Sequence, residues 1–258
     1  LTRALDNDLF EAYAAHGIES VPTRFRLDSK DRVTPIDTGA VCVNDDLAWF
    51  GHDGHPAPPK SLADLAKPAY RKLLVMENPA SSSPGLAFML ATVDAFGTDG
   101  WHDYWQALRK NGVRVDDGWE QAYDSDFTAA AKSGDRPLVV SYATDPAADV
   151  VFSDGKKKIP TVGVVPGTCF RQIEFAGVLQ HANNPVGARA LIDFMLTRRF
   201  QEDIPLQMYV YPVSPTAKLP PVFVKYAVQP AHPHSLTASA IGAHRNEWID
   251  EWTRIVLH

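Results

Sequence analysis

Between residues 60 and 150, short apolar runs alternate with segments in which apolar residues recur every three or four positions. The runs at 73–76, 113–115 and 138–142 are typical of buried strands, and the segments between them are typical of helices. One helix is predicted from Ser83, as N-cap, to about Phe96, and a second from 100 to 111. This alternation predicts an α/β sheet with crossover helices.

The flanking regions are less regular. Helices are predicted over 4–15, 184–196 and 239–257, and strands over 40–44, 161–165 and 169–179. The last two of these are predicted as separate strands, the second of them long.

Polar and aromatic residues follow the predicted strands, where ligands bind in an α/β sheet. The turn Ser81–Ser83 combines hydroxyls with helix N–H groups, which suits an anion, although a solvent-facing helix cap has the same pattern. The ring faces of Trp119, Tyr142 and Tyr209 attract organic cations by about 0.5–2 kcal/mol each, although such rings often pack in a core. A flat, cationic, aromatic small molecule fits this combination, but the residues alone do not select it.

Charge and composition narrow the function classes. The chain has 258 residues, of which 45% are hydrophobic and 22% are charged. This length and composition allow one large domain or two smaller ones, each with a hydrophobic core. The net charge of −6 argues against a nucleic acid or an anionic membrane surface as partner. The basic run Lys156–Lys158 is interpreted as a solvated turn. No apolar run reaches the roughly 18 residues of a membrane span.

Catalytic and metal-binding motifs are missing from the sequence. It contains no GxSxG, GxxxxGK[ST], GxGxxG or HExxH pattern. His52 and His55, in a Gly- and Pro-rich loop, are interpreted as surface residues rather than metal ligands. We therefore predict that the protein is not an enzyme and holds no cofactor and no metal. Cys42 and Cys169 are either one disulfide in an exported protein or two buried thiols.

Six stretches together carry a family resemblance. They are NPASSSPG at 78–85, GWEQAY at 118–123, LVVSY at 138–142, FQEDIP at 200–205, MYVYPV at 208–213 and WIDEW at 248–252. In this order they resemble the periplasmic thiamine-binding proteins of ABC importers, which have the type 2 periplasmic-binding-protein fold. The resemblance covers nearly the whole chain, and GWxxAY followed by VVSY is fairly specific.

The resemblance implies a two-lobe α/β protein, each lobe a sheet flanked by helices. Lobe one is expected at 1–44 and 180–258 and lobe two at 45–179, with hinge-crossing strands near 40–50 and 169–179. Family members begin with further βα units, so lobe one is expected to be incomplete at its N-terminus. The signal segment of an exported, periplasmic or cell-surface protein is likewise expected to lie outside this chain.

The resemblance also implies a function: capture of thiamine or thiamine phosphates for an ABC importer. The expected partners are this small-molecule cargo and the permease subunits in the membrane, with the protein itself a monomer. In an exported protein, Cys42 and Cys169 would form a disulfide, because the family's crossing strands lie side by side.

By position, Trp119, Tyr142 and Tyr209 would line the thiamine rings, and Ser82 and Ser83 would bind the hydroxyl or phosphate end. Asp37, in a Pro-x-Asp-x-Gly motif, is added here as a candidate ligand contact. Ala148 stands where relatives can have a tyrosine near the phosphate end, which weakens the expectation of phosphate contacts.

Two alternatives stay open. The same fold can bind iron or another organic cation, and Tyr209 and Tyr211 would share one face of an extended segment as metal phenolates; ferric relatives tend to have adjacent tyrosines instead. A secreted serine hydrolase would need one of Ser81–Ser83 beside a histidine, and none is close in the sequence.

Overall fold

The computed structural model describes all residues from 1 to 258 and divides them into two compact units. The smaller unit comprises residues 1–39, 172–224 and 237–243. The larger unit comprises residues 40–171, 225–236 and 244–258. No helix combines the length and the apolar character that crossing a bilayer requires.

Six strands and ten α-helices make up most of the regular structure. The strands are β1 Thr34–Asp46, β2 Leu74–Glu77, β3 Arg114–Asp116, β4 Leu138–Tyr142, β5 Val162–Ala176 and β6 Tyr211–Pro212. The helices are α1 Thr2–Asp6, α2 Leu47–Phe50, α3 Leu62–Leu65, α4 Ser83–Lys110, α5 Trp119–Gln121, α6 Asp145–Val151, α7 Pro185–Met195, α8 Arg198–Gln207, α9 Pro221–Tyr226 and α10 Ala238–Val256. Short 3-10 turns occupy Ile18–Ser20, Thr23–Phe25 and Pro68–Tyr70, and a π-helical turn spans Ala122–Asp126.

The larger unit is built on a sheet with the strand order β3-β2-β4-β1-β5. Strand β2 pairs in parallel with β3 and β4, whereas β1 is antiparallel to β4. Every residue of β2 and nearly every residue of β4 is buried, which is why these strands are mostly uninterrupted apolar runs. The predicted α/β alternation is confirmed.

Helix α4 confirms the predicted pair of helices but begins one residue away from the predicted cap. Its backbone breaks at Gly97 (φ 70°, ψ 177°), between the two predicted segments. The N-cap is Ser82, and Ser83 is already helical, so the predicted cap was wrong. The first turn packs tightly on the end of β2, because a Cβ on Gly85 would lie 2.2 Å from the carbonyl oxygen of Glu77.

In the smaller unit, the first part of β1 pairs with β6, and Ile36, Ile204 and Val210 form one of its apolar clusters. The predicted helix over 4–15 is wrong, because α1 ends at Asp6. The following residues pair in extended form instead: the N–H of Glu11 donates to the carbonyl of Val178 at 2.9 Å. Long-range pairing here outweighs local helical periodicity.

Strands β1 and β5 each run from one unit into the other. The prediction of two separate strands over 161–165 and 169–179 is wrong, since β5 runs without interruption from Val162 to Ala176. Within the larger unit, Cys42 on β1 and Cys169 on β5 are fully buried and joined by a disulfide. This is the pairing that the family resemblance implies.

The C-terminal region is divided differently from the predicted lobes. Residues 225–236 and 244–258 group with the larger unit rather than with residues 1–39. In this unit, the N–H of Val228 donates to the carbonyl of Ala143 at 2.9 Å. The buried indole of Trp252 packs edge-on against that of Trp105, with ring centroids 5.5 Å apart.

Candidate functional site

A cavity of about 520 Å³ in the larger unit is lined by residues from α6 and from the segment that begins at Trp119. Helix α6 and its C-cap contribute Asp145, Ala148, Asp149 and Phe152. These positions are spaced i, i+3, i+4 and i+7, so they share one helical face. That face combines carboxyl groups with an aromatic ring.

The aromatic part of the cavity is held in a defined orientation. Trp119 and Tyr123 stack, with ring centroids 4.7 Å apart and planes at 20°. The indole Nε1 of Trp119 donates to the hydroxyl of Ser141 at 2.8 Å, and Ser141 is fully buried on β4. One hydrogen bond and one stacked ring therefore fix the Trp119 side chain before any ligand arrives.

The carboxyl groups of the cavity differ in how they are bonded. Asp145 accepts from the side-chain amide of Asn44 at 2.7 Å, and burial raises the pKa of Asp145 to about 7. Asp149 accepts from the backbone N–H of Thr161 at 2.7 Å and pairs with the ammonium group of Lys157. Partial burial raises the pKa of Asp124 above its ordinary value, and the negative charge of the nearby Glu120 raises it further. An aromatic wall with carboxyl groups suits an organic cation.

The serine turn lies in the same unit. The hydroxyl of Ser81 donates to the carbonyl of Asp117 at 2.8 Å, which ties the turn to the residues preceding Trp119. Ser82 is half-buried and Ser83 is exposed at the start of α4. Neither serine lines the cavity. Their roles as ligand contacts stay predictions.

Tyr142 is the last residue of β4 and is half-buried. Its backbone N–H donates to Asp145 at 3.2 Å and its carbonyl accepts from Asn44 at 3.1 Å. The first bond joins the end of β4 to the start of α6 and the second joins it to β1, although the ring of Tyr142 does not line the cavity. Its ligand contact also stays a prediction.

The two remaining predicted site residues, Asp37 and Tyr209, belong to the smaller unit. Asp37 is buried, its Oδ1 atom has no hydrogen-bond partner, and burial together with Glu174 raises its pKa to about 7. Tyr209 has a positive φ of 53° and lies near Phe223, with ring centroids 6.3 Å apart. Left-handed backbone is uncommon for residues other than glycine and is concentrated at functional sites. Their contacts with a ligand stay predictions.

Of the residues that line the cavity, sequence reasoning proposed only Trp119 as a ligand contact; it missed, among others, Tyr123, Asp145, Asp149 and Lys157. Asp149 and Phe152 follow Asp145 at i+4 and i+7, and this helical spacing is the sequence signal that could have placed them on the same face as Asp145. The interpretation of Lys156–Lys158 as a solvated turn is wrong for Lys157, which is half-buried and bonds Asp149 and, at 2.8 Å, the hydroxyl of Thr161.

Comparison with known proteins places the chain in a family. Residues 1–230 match the sequence pattern of bacterial extracellular solute-binding proteins. The chain belongs to this family. Within it, the thiamine-binding periplasmic protein of Escherichia coli strain K12 is 31% identical over 264 residues, covering 98% of this chain and 75% of that protein.

Solved structures agree on the fold of this solute-binding protein. A periplasmic thiamin binding protein superimposes with a TM-score of 0.82 at 26% identity, over 99% of this chain and 75% of that one. The apo ferric ion-binding protein A of Pasteurella haemolytica superimposes with a TM-score of 0.78 over 98% and 78% of the chains, but at 15% identity it shows the fold alone. The predicted type 2 periplasmic-binding-protein fold and a small-molecule ligand are confirmed.

Proposed function

We propose that this solute-binding protein captures thiamine or a thiamine phosphate in the periplasm and delivers it to the permease subunits of an ABC importer. It acts as a monomer, holds no cofactor and leaves its cargo chemically unchanged. The observation that carries the proposal is the cavity in which the stacked pair Trp119–Tyr123 meets the acidic face of α6.

The chemistry of thiamine matches this cavity. Its thiazolium ring is a permanent flat cation and its pyrimidine is a second aromatic ring. Aromatic faces attract such cations by about 0.5–2 kcal/mol, and carboxyl groups add to the attraction. The thiamine-binding relatives share about three residues in ten with this chain over nearly its whole length.

The remaining predicted contacts complete the proposal. Tyr142 and Tyr209 would face the rings, Asp37 would attract their positive charge, and Ser82 and Ser83 would bind the hydroxyl or phosphate end. Alanine at each position should weaken binding without changing the fold.

Intrinsic tryptophan fluorescence tests the proposal. Thiamine should quench emission of the natural protein in a saturable way, because its rings approach Trp119. A Trp119→Phe variant should lose that change and bind about tenfold more weakly, which corresponds to about 1.4 kcal/mol. Trp49→Phe is the matched control, since Trp49 stacks on His55 and does not line the cavity.

Calorimetry with thiamine and both phosphates provides an independent readout of affinity. No heat and no quenching with any of the three would overturn the proposal. A visible absorbance band with ferric ion in that case would favour the iron-binding alternative.

A further inference from the structure

Asp145 is the most deeply buried carboxyl group that lines the cavity beside Trp119. Its exposed fraction is 5%, whereas Asp149 is half-buried and Asp124 is exposed. A charge at the position of Asp145 has little contact with water, so the groups around it decide whether the carboxyl is ionised.

The groups that bond this carboxyl are neutral. The side-chain amide of Asn44 on β1 donates to it at 2.7 Å, and the backbone N–H of Tyr142 on β4 donates at 3.2 Å. The hydroxyl of Ser141 bonds it as well and accepts from the indole of Trp119 at 2.8 Å. The carboxyl is therefore two hydrogen bonds away from the ring that the ligand is proposed to approach, and none of these contacts supplies a positive charge.

The titratable groups that interact with Asp145 from the neighbouring elements are acidic. They are Asp149 one turn further along α6, Glu77 at the end of β2 and the phenol of Tyr123 in the π-helical turn. Lys157, the one basic residue that lines the cavity, is paired with Asp149. Burial raises the pKa of Asp145 to about 7 against the effect of its hydrogen bonds, so near neutral pH about half of the free protein carries a proton there.

A cation in the cavity changes this balance. Opposite charges attract strongly where water is excluded, so a thiazolium ring beside Trp119 favours the ionised form of Asp145. Binding of the cation and loss of the proton then favour each other, because the two equilibria are linked. A neutral aromatic ligand gains nothing from this coupling.

We propose, resting on the proposed function, that Asp145 is the specificity-determining counter-charge for the cation and that it releases a proton to the solvent when thiamine enters the cavity. The O–H bond of the carboxylic acid breaks, the proton passes to water or buffer, and the electron pair stays on the carboxylate. The permanent charge of the thiazolium ring then takes the place of the proton as the positive partner of Asp145.

Calorimetric titrations with thiamine in buffers of different ionisation enthalpy count the released protons. The natural protein should release about half a proton per thiamine at pH 7 and almost none at pH 9, where Asp145 is already ionised. Its affinity should rise by up to about tenfold from pH 6 to pH 8, because the protonated fraction that opposes binding disappears over this range.

Asp145→Asn keeps the size of the side chain and removes its titration. The variant should lose this proton release and its pH dependence, and at pH 8 it should bind thiamine about tenfold more weakly than the natural protein. Glu77→Gln is the matched control. It removes another buried carboxyl of raised pKa, which does not line the cavity, and should leave the proton release at pH 7 unchanged.

The first count uses the natural protein, so the inference stays falsifiable even if Asp145→Asn fails to fold. Thiamine binding without proton release, or with net proton uptake, would overturn it and leave the proposed function standing. Burial also raises the pKa of Asp37 to about 7, so the release must persist in Asp37→Asn. Its disappearance there, or its persistence in Asp145→Asn, would also overturn the inference. Absence of any thiamine binding would overturn the proposed function as well.

Discussion

Several carboxyl groups are buried in the interior without a strong counter-charge. Glu77, the last residue of β2, is fully buried, and neither of its carboxyl oxygens bonds another residue. Burial raises its pKa to about 8, and burial likewise raises the pKa of Asp145 and of Asp37 to about 7. Near neutral pH Glu77 is mostly protonated and Asp145 and Asp37 are about half protonated, whereas all three are ionised in the unfolded chain, so ionisation works against the folded state.

A Glu77→Gln variant should therefore gain stability with rising pH relative to the natural protein. The folded pKa lies above the ordinary value of 4.5, so the penalty is absent below pH 4.5, grows up to about pH 8 and is complete above it. Urea unfolding should give similar free energies near pH 4.5 and, near pH 8, a variant more stable by on the order of 4 kcal/mol.

Glu202→Gln is the control for this experiment. Its carboxyl bonds Arg198 at 2.7 Å, which lowers its pKa, so the variant should lose stability above pH 4.5 rather than gain it. If the free energies of unfolding of the natural protein and of Glu77→Gln changed in parallel with pH, the raised pKa of Glu77 would be contradicted.

Among the elements, α4 is a helix of 28 residues in two segments that meet at Gly97. Its combination of positive φ with ψ near 180° is almost exclusive to glycine. A Cβ at this position would meet no atom within 4 Å, so the requirement is conformational rather than steric. The second segment carries the buried Trp101 and Trp105, and the break allows it to leave the direction of the first.

Alanine at positions 97 and 100 should have opposite effects. Gly97→Ala should lower the free energy of unfolding by about 1–2 kcal/mol, because it strains the break. Gly100→Ala should raise it by several tenths of a kcal/mol, because alanine is the better helix former. Denaturant unfolding measures both, and a stabilising Gly97→Ala would show that the break is dispensable.

These elements also show which parts of the structure the sequence could predict. Strand and helix identities over 60–150 follow from local periodicity, and Trp119 and the start of α6 follow from their places after strands. The bond from Trp119 to Ser141 and the pairing of Lys157 with Asp149 depend on the tertiary arrangement, which periodicity does not encode. The extended residues after α1 were mistaken for helix for the same reason, since their partner Val178 is distant in sequence.

On the scale of the whole molecule, the chain passes repeatedly between the two units. Strands β1 and β5 make the first two passages, and the disulfide Cys42–Cys169 joins them within the larger unit. The linked residues are 127 positions apart, so the bond restricts a large part of the unfolded chain.

Loss of this bond should be costly. A Cys42→Ala, Cys169→Ala double variant should unfold with about 2–4 kcal/mol less free energy than the oxidised protein. Reduction of the natural protein should have a similar effect. Titration of the denatured, unreduced protein should find no reactive thiol, and two reactive thiols would contradict the pairing.

The position of the disulfide also governs the products of a single proteolytic nick. Residues 154–156 form an exposed turn in the larger unit, with Cys42 before it and Cys169 after it. Cleavage there would produce two polypeptides that migrate as one band in a non-reducing gel and separate only after reductant is added.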